Sequence, residues 1–175
     1  MAYALSGQET LPAKPIIITF DDGYIDNYQN AFPLLQKYGY TAVFYIFTYP
    51  LDHDDLNYLS WAMVQEMHRA GMEFGSHGYR HWELVGRDVD FLVYEILGSQ
   101  EAIEAHIGEP VRFFSYPVGR YDALAQQVVE SANFWNAVTT EYDIKQSYAD
   151  RYALPRLRMH DYDTVERLAF KLNAF

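Results

Sequence analysis

Apolar residues gather into five short runs, at 16–20, 41–47, 72–76, 111–116 and 135–139, with helical patterns between most of them. That alternation predicts parallel βαβ units. Val89, Leu92, Ile96, Ile103 and Ile107 recur at roughly helical spacing and stop at Gly108, which predicts a long amphipathic helix laid on the sheet. A shorter helix begins at Pro33, whose missing N–H is harmless at a first helical position, and ends at Gly39. Ser60 is placed to cap a helix ending near Gly71. Asp122 is placed to cap another, with Leu124, Val128 and Ala132 facing inward. Asp163 and Glu166 have capping-box spacing for the last.

The polar residues fall at one recurring place in this pattern. Asp21 and Asp22, His77, and the turn Pro117 to Gly119 each follow directly on a predicted strand. In α/β barrels and open α/β sheets that carboxyl edge is where sites are built. IIITFDDG therefore delivers two adjacent carboxylates to one small region, where each disfavours ionisation of the other unless a cation or hydrogen-bond donors offset the repulsion. GSHGYRH supplies His77 and His81. One carboxylate with two imidazoles is a common open ligand set for a catalytic divalent ion.

Composition narrows the partners. With 13 basic and 24 acidic side chains the formal charge is −11, which works against an electrostatic grip on nucleic acid or anionic membranes. A cationic or neutral partner is easier to accommodate. Half of the 175 residues are apolar, enough for one domain over 1–175 with a sizeable core. The chain has no cysteine, so disulfides and thiolate metal ligands are excluded. No apolar run approaches the roughly 20 residues of a transmembrane helix, and the first fifteen residues lack a signal-peptide pattern. The oligomeric state is not specified.

Taken together, TFDDG at 19–23, SHGYRH at 76–81 and FFSYPVG at 113–119 resemble the polysaccharide deacetylases of carbohydrate esterase family 4, in order and spacing as well as in letters. The similarity runs from about Leu11 through LPRLR at 154–158. It implies an α/β fold, a distorted (β/α) barrel with about seven parallel strands. It also implies removal of N-acetyl groups from an acetylated amino-sugar polymer or oligomer, in a secreted or cell-envelope setting. Carried over residue by residue, it makes Asp21 the general base and Asp22, His77 and His81 the ligands of a divalent metal, zinc foremost, with cobalt or nickel as alternatives. Such an ion acidifies water and polarises an amide carbonyl, which suits Asp21 to the role of base. The resemblance also implies that Tyr116, Pro117 and Val118 make the substrate-binding turn, with the Val118 N–H as oxyanion donor.

The chain departs from the family pattern at several points. Gly78 stands where a hydroxyl residue is common, Val118 where an aromatic residue is common, and Ser115 where an arginine often orients the base. Arg156, in a late strand-like segment, is the expected substitute. LRMH at 157–160 offers His160 as general acid, with His53 behind it. Other readings stay open: an O-acetyl esterase on the same metal site, a noncatalytic carbohydrate-binding barrel, or adjacent aspartates that only form a solvated turn. Tyr79, Trp82, Tyr116 and Tyr121 flank the motifs and are candidates for stacking on sugar rings, although most such rings fill cores.

Overall fold

The computed structural model describes residues 7, 8 and 10–173. The start of the N-terminal segment, on which the leader reading partly rests, lies outside the described residues. Among the described residues five parallel strands form one sheet in chain order: β1 (Thr19–Phe20), β2 (Val43–Ile46), β3 (Glu73–Ser76), β4 (Phe113–Ser115) and β5 (Asn136–Val138). Between them run α1 (Phe32–Tyr38), the short α2 (Tyr49–Asp52), α3 (Trp61–Arg69), α4 (Val89–Ile107) and α5 (Ala123–Ser131); α6 (Val165–Asn173) follows β5. The fold is α/β with a curled half-barrel of five strands, not the seven expected.

The missing strands have a local cause. LPRLR comes alongside β5, but only Leu154 forms a bridge, with Val138. The Arg156 N–H then skips to Glu141 O at 2.8 Å, and Thr139 O is taken instead by the Arg156 Nε at 2.9 Å. A side chain thus occupies the carbonyl that the ladder needs to continue. At the other edge β1 is short, and Ile16 and Ile17 before it are exposed.

Strand alternation separates two cores. Phe44, Ile46, Phe74, Phe114 and Ala137 pack against the helices with Leu92, Ile96, Ile103, Val128 and Val129. Tyr45, Val138 and Leu154, with Val43 and Phe113, fill the inner side. Tyr45 pairs in register with Gly75, where any Cβ would lie 2.6 Å from its ring and 2.8 Å from Phe113 O. Only glycine leaves Tyr45 room to lie across the sheet.

The helix signals hold with two corrections. Gly39 and Gly108 end their helices in the left-handed conformation, and Ser60 and Asp122 accept from the Met63 and Ala125 N–H groups. Pro33 does not open its helix: a π-helical turn, Asn27–Ala31, runs straight into α1. Nor does Asp163 cap α6. Thr164 Oγ1 accepts from the Arg167 N–H, while Asp163 accepts the His160 N–H and pairs with Lys171 and Arg167.

Candidate active site

β1 ends in a sharp reversal. Asp22 adopts φ 73°, a left-handed conformation uncommon outside glycine, so the two consecutive carboxylates take different partners. Asp21 accepts two charge-assisted hydrogen bonds from Arg156, Nη1 to Oδ1 at 2.8 Å and Nη2 to Oδ2 at 2.6 Å. Asp22 Oδ1 lies 3.4 Å from His77 Nε2 and 3.2 Å from His81 Nε2.

Arg156 uses its whole guanidinium. Besides Asp21 and Thr139 O, Nη1 donates to Thr19 Oγ1 at 3.1 Å and Nη2 to Ser115 Oγ at 3.2 Å, with the ring of buried Tyr45 on one side. Burial works against its charge, but the bonds to Asp21 outweigh that and raise its pKa. Ser115, where the family resemblance led to an expectation of arginine, is the small hydroxyl residue that receives Arg156 from the far end of the chain.

His77 ends the buried edge of β3, and its Nδ1 sits 2.6 Å from Ser115 O. Because a carbonyl only accepts, Nδ1 carries a proton, and Nε2 is the ring nitrogen turned toward Asp22 and available to a ligand. His81 is held at φ 60°; burial and the neighbouring His77 push its pKa down. The His77 imidazole, aided by the charges of His81 and Arg158, holds the Asp22 carboxyl below its ordinary range against the effect of burial. The site is therefore biased toward an ionised Asp22 carboxylate and a neutral His81 imidazole. The ligand atoms of Asp22, His77 and His81 lie within 4.8 Å of one another. This donor set and protonation fit a divalent ion.

The Pro117–Gly119 turn faces the same edge. Val118 is exposed with φ 52°, whereas Pro117 is buried. Tyr116 does not belong on the site surface. Its side chain is fully buried in the helix-facing core, stacked on Tyr121 at 4.7 Å, and burial raises its pKa. Its position two residues before Val118 follows from strand alternation: Tyr116 faces the helices as Phe114 does.

His160 also departs from expectation. It lies on an exposed turn, its ring stacked on Tyr162 at 4.8 Å and its N–H bonded to Asp163. His53 stacks on Tyr49, His106 on Trp61, and His68 lies beside Glu109. Only His77 and His81 of the six histidines contact the carboxylates. The charge that reaches Asp22 from the late segment is Arg158 instead. Its signal was present in the spacing, since Arg156 and Arg158 share one face of an extended segment.

Comparison with known proteins agrees with this geometry. The family model for polysaccharide deacetylase matches residues 8–137. YxkH of Bacillus subtilis (strain 168) is 34% identical over 146 residues, 83% of this chain and 52% of that protein. The poly-beta-1,6-N-acetyl-D-glucosamine N-deacetylase of Staphylococcus aureus (strain N315) is 22% identical over 94% of this chain and 60% of its own length. The chain thus spans little more than half of these relatives. The solved structure of the Streptococcus pyogenes deacetylase PplD in complex with acetate superposes with a TM-score of 0.93 at 27% identity, covering 98% of this chain and 76% of that one. The chain belongs to the polysaccharide deacetylase family.

Proposed function

We propose that the protein is a metal-dependent hydrolase that removes N-acetyl groups from amino-sugar polysaccharides or oligosaccharides. The observation that carries this reading is the division of labour at the end of β1: Asp21 is clamped by Arg156 while Asp22 faces His77 and His81. Asp22, His77 and His81 would hold the ion, zinc foremost, with cobalt or nickel acceptable to the same donors. When bound, such an ion supplies Lewis acidity to water and to the acetyl carbonyl.

The chain's own groups supply the rest. Asp21 takes a proton from the attacking water. Both of its oxygens accept from Arg156, but each keeps a further lone pair, and the guanidinium fixes the direction in which it points. The Val118 N–H, on the exposed turn opposite, is the donor for the oxyanion. The departing amine needs a proton, and the one held on the Asp21 carboxyl is the donor nearest to hand. Tyr116 acts from the core, holding the turn in place. The similarity to the poly-beta-1,6-N-acetyl-D-glucosamine N-deacetylase of Staphylococcus aureus supports an amino-sugar polymer as substrate.

A second reading has one observation in its favour. His160 and the other non-ligand histidines make their contacts away from the carboxylates. O-acetyl esters, whose alkoxide leaves with less help from an acid, are therefore the second substrate class for the same site. Parallel assays on N-acetylglucosamine oligomers and acetylated xylan decide between them. Preferential acetate release from the amino sugar supports the first reading, and release from xylan alone overturns it.

A further inference from the structure

We propose that Glu95 is a positioning residue for the metal cluster, acting through the loop that joins His77 to His81; the inference rests on the reading of Asp22, His77 and His81 as metal ligands. Glu95 lies in the middle of α4 and is fully buried, between the buried Leu92 and Ile96. A carboxylate there has lost its hydration and must be compensated. Its Oε2 accepts the Arg80 backbone N–H at 2.8 Å, and its Oε1, which has no hydrogen-bond partner among the described residues, lies 3.7 Å from Arg80 Nη1. The Arg80 guanidinium in turn lies over the rings of Tyr49, Tyr79 and Tyr94, at 5.5, 5.0 and 5.2 Å from their centroids. A charge caged by three aromatic faces is held more firmly than one free in water.

What this latch holds is a strained loop. Gly78 sits at φ 81° and His81 at φ 60°, a conformation that costs a non-glycine residue about 1 kcal/mol or more unless its surroundings impose it. α4 grips the loop twice. Ser99 bonds Ser76, whose Oγ accepts the Gly78 N–H at 3.2 Å, and Glu95 bonds Arg80, one residue before His81. The loop packs against Pro117 and Glu95 at Gly78, where a Cβ would stand in ordinary contact, 3.5 Å from Pro117 Cγ and 3.7 Å from Glu95 Oε2. Without the carboxylate, the Arg80 N–H loses its partner, the left-handed turn relaxes, and His81 Nε2 leaves its place 3.2 Å from Asp22.

Cobalt(II) titration of the full chain, followed by visible absorption, tests this apart from turnover. The Glu95→Leu variant removes one partner of the pair and leaves the Arg80 N–H unsatisfied, so its thermal transition is expected to fall, and affinity is read well below that transition. Its cobalt affinity is expected to fall about 10–100-fold, with an altered absorption band. Glu95→Gln, which keeps an oxygen for the Arg80 N–H, is expected to recover most of that loss. Unchanged affinity and spectrum in a folded Glu95→Leu protein would overturn the inference. Should that variant fail to fold, Glu95→Asp, whose shorter side chain draws the carboxylate back from the Arg80 N–H, tests the same contact, with an expected loss of about tenfold; full affinity there overturns it equally. A wild-type protein that binds no cobalt would instead remove the metal reading beneath it.

Discussion

Arg156 reaches across 135 residues of sequence to grip both oxygens of Asp21. The contact joins the last paired segment of the half-barrel to its first strand, so one side chain both closes the open side of the sheet and aims the carboxylate.

That double role makes Arg156→Lys informative. Lysine keeps the charge but loses the planar fork, so Asp21 keeps its ion pair without a fixed direction. Turnover is expected to fall about 100-fold with bound metal unchanged, a loss typical of a reacting group displaced by about an ångström. Turnover within twofold of wild type would show that Asp21 does not depend on this clamp.

The reach of Arg156 also shows what the sequence could and could not reveal. Asp21, Asp22 and His77 were legible because they follow directly on apolar runs that chain order carries to one sheet edge, and His81 because it shares the GSHGYRH segment with His77. Arg156 was legible as a candidate through the vacancy at Ser115. The strand count was not, because the pairing that LPRLR begins is ended by the Arg156 side chain itself, a competition invisible to periodicity. Tyr116 was misread because its neighbours in the motif are functional, whereas alternation from Phe114 turns it inward. Glu95 left no trace beyond an acidic residue on an apolar helix face.

Alanine at Asp22, His77 or His81 is expected to reduce metal affinity by at least about 100-fold, more than the loss from positioning residues. Equilibrium dialysis with zinc reads this directly. Full stoichiometry in all three variants would exclude these ligands.

His160→Ala is expected to leave both amide and ester cleavage within about twofold of wild type, as for most surface substitutions. Its stacking on Tyr162 and the turn bonded to Asp163 account for its position without catalysis. A selective loss of amide cleavage would return the general-acid role to it.

Asp122 ties two segments together: one carboxylate accepts the Gly86 N–H at 2.8 Å and the Ala125 N–H at 2.9 Å. Asp122→Ala is expected to cost about 1 kcal/mol at neutral pH, seen as a lower Tm. The Gly86 and Ala125 N–H groups lower the pKa of this carboxyl below 3.8. A lowered acid stabilises above its unfolded pKa and ceases to do so as pH falls through the folded value. The Tm difference between wild type and variant is therefore expected to be constant from neutrality down to about pH 4, roughly the unfolded pKa, and to shrink below it. A difference that grows in acid would contradict the cap.

The central claim is tested most directly by acetate release from N-acetylglucosamine oligomers by metal-free protein, with and without added zinc or cobalt, beside Asp21→Asn. The account predicts release only with metal, and its loss in an Asp21→Asn protein that still binds the ion. Release that needs no metal, or that survives in Asp21→Asn, would contradict it.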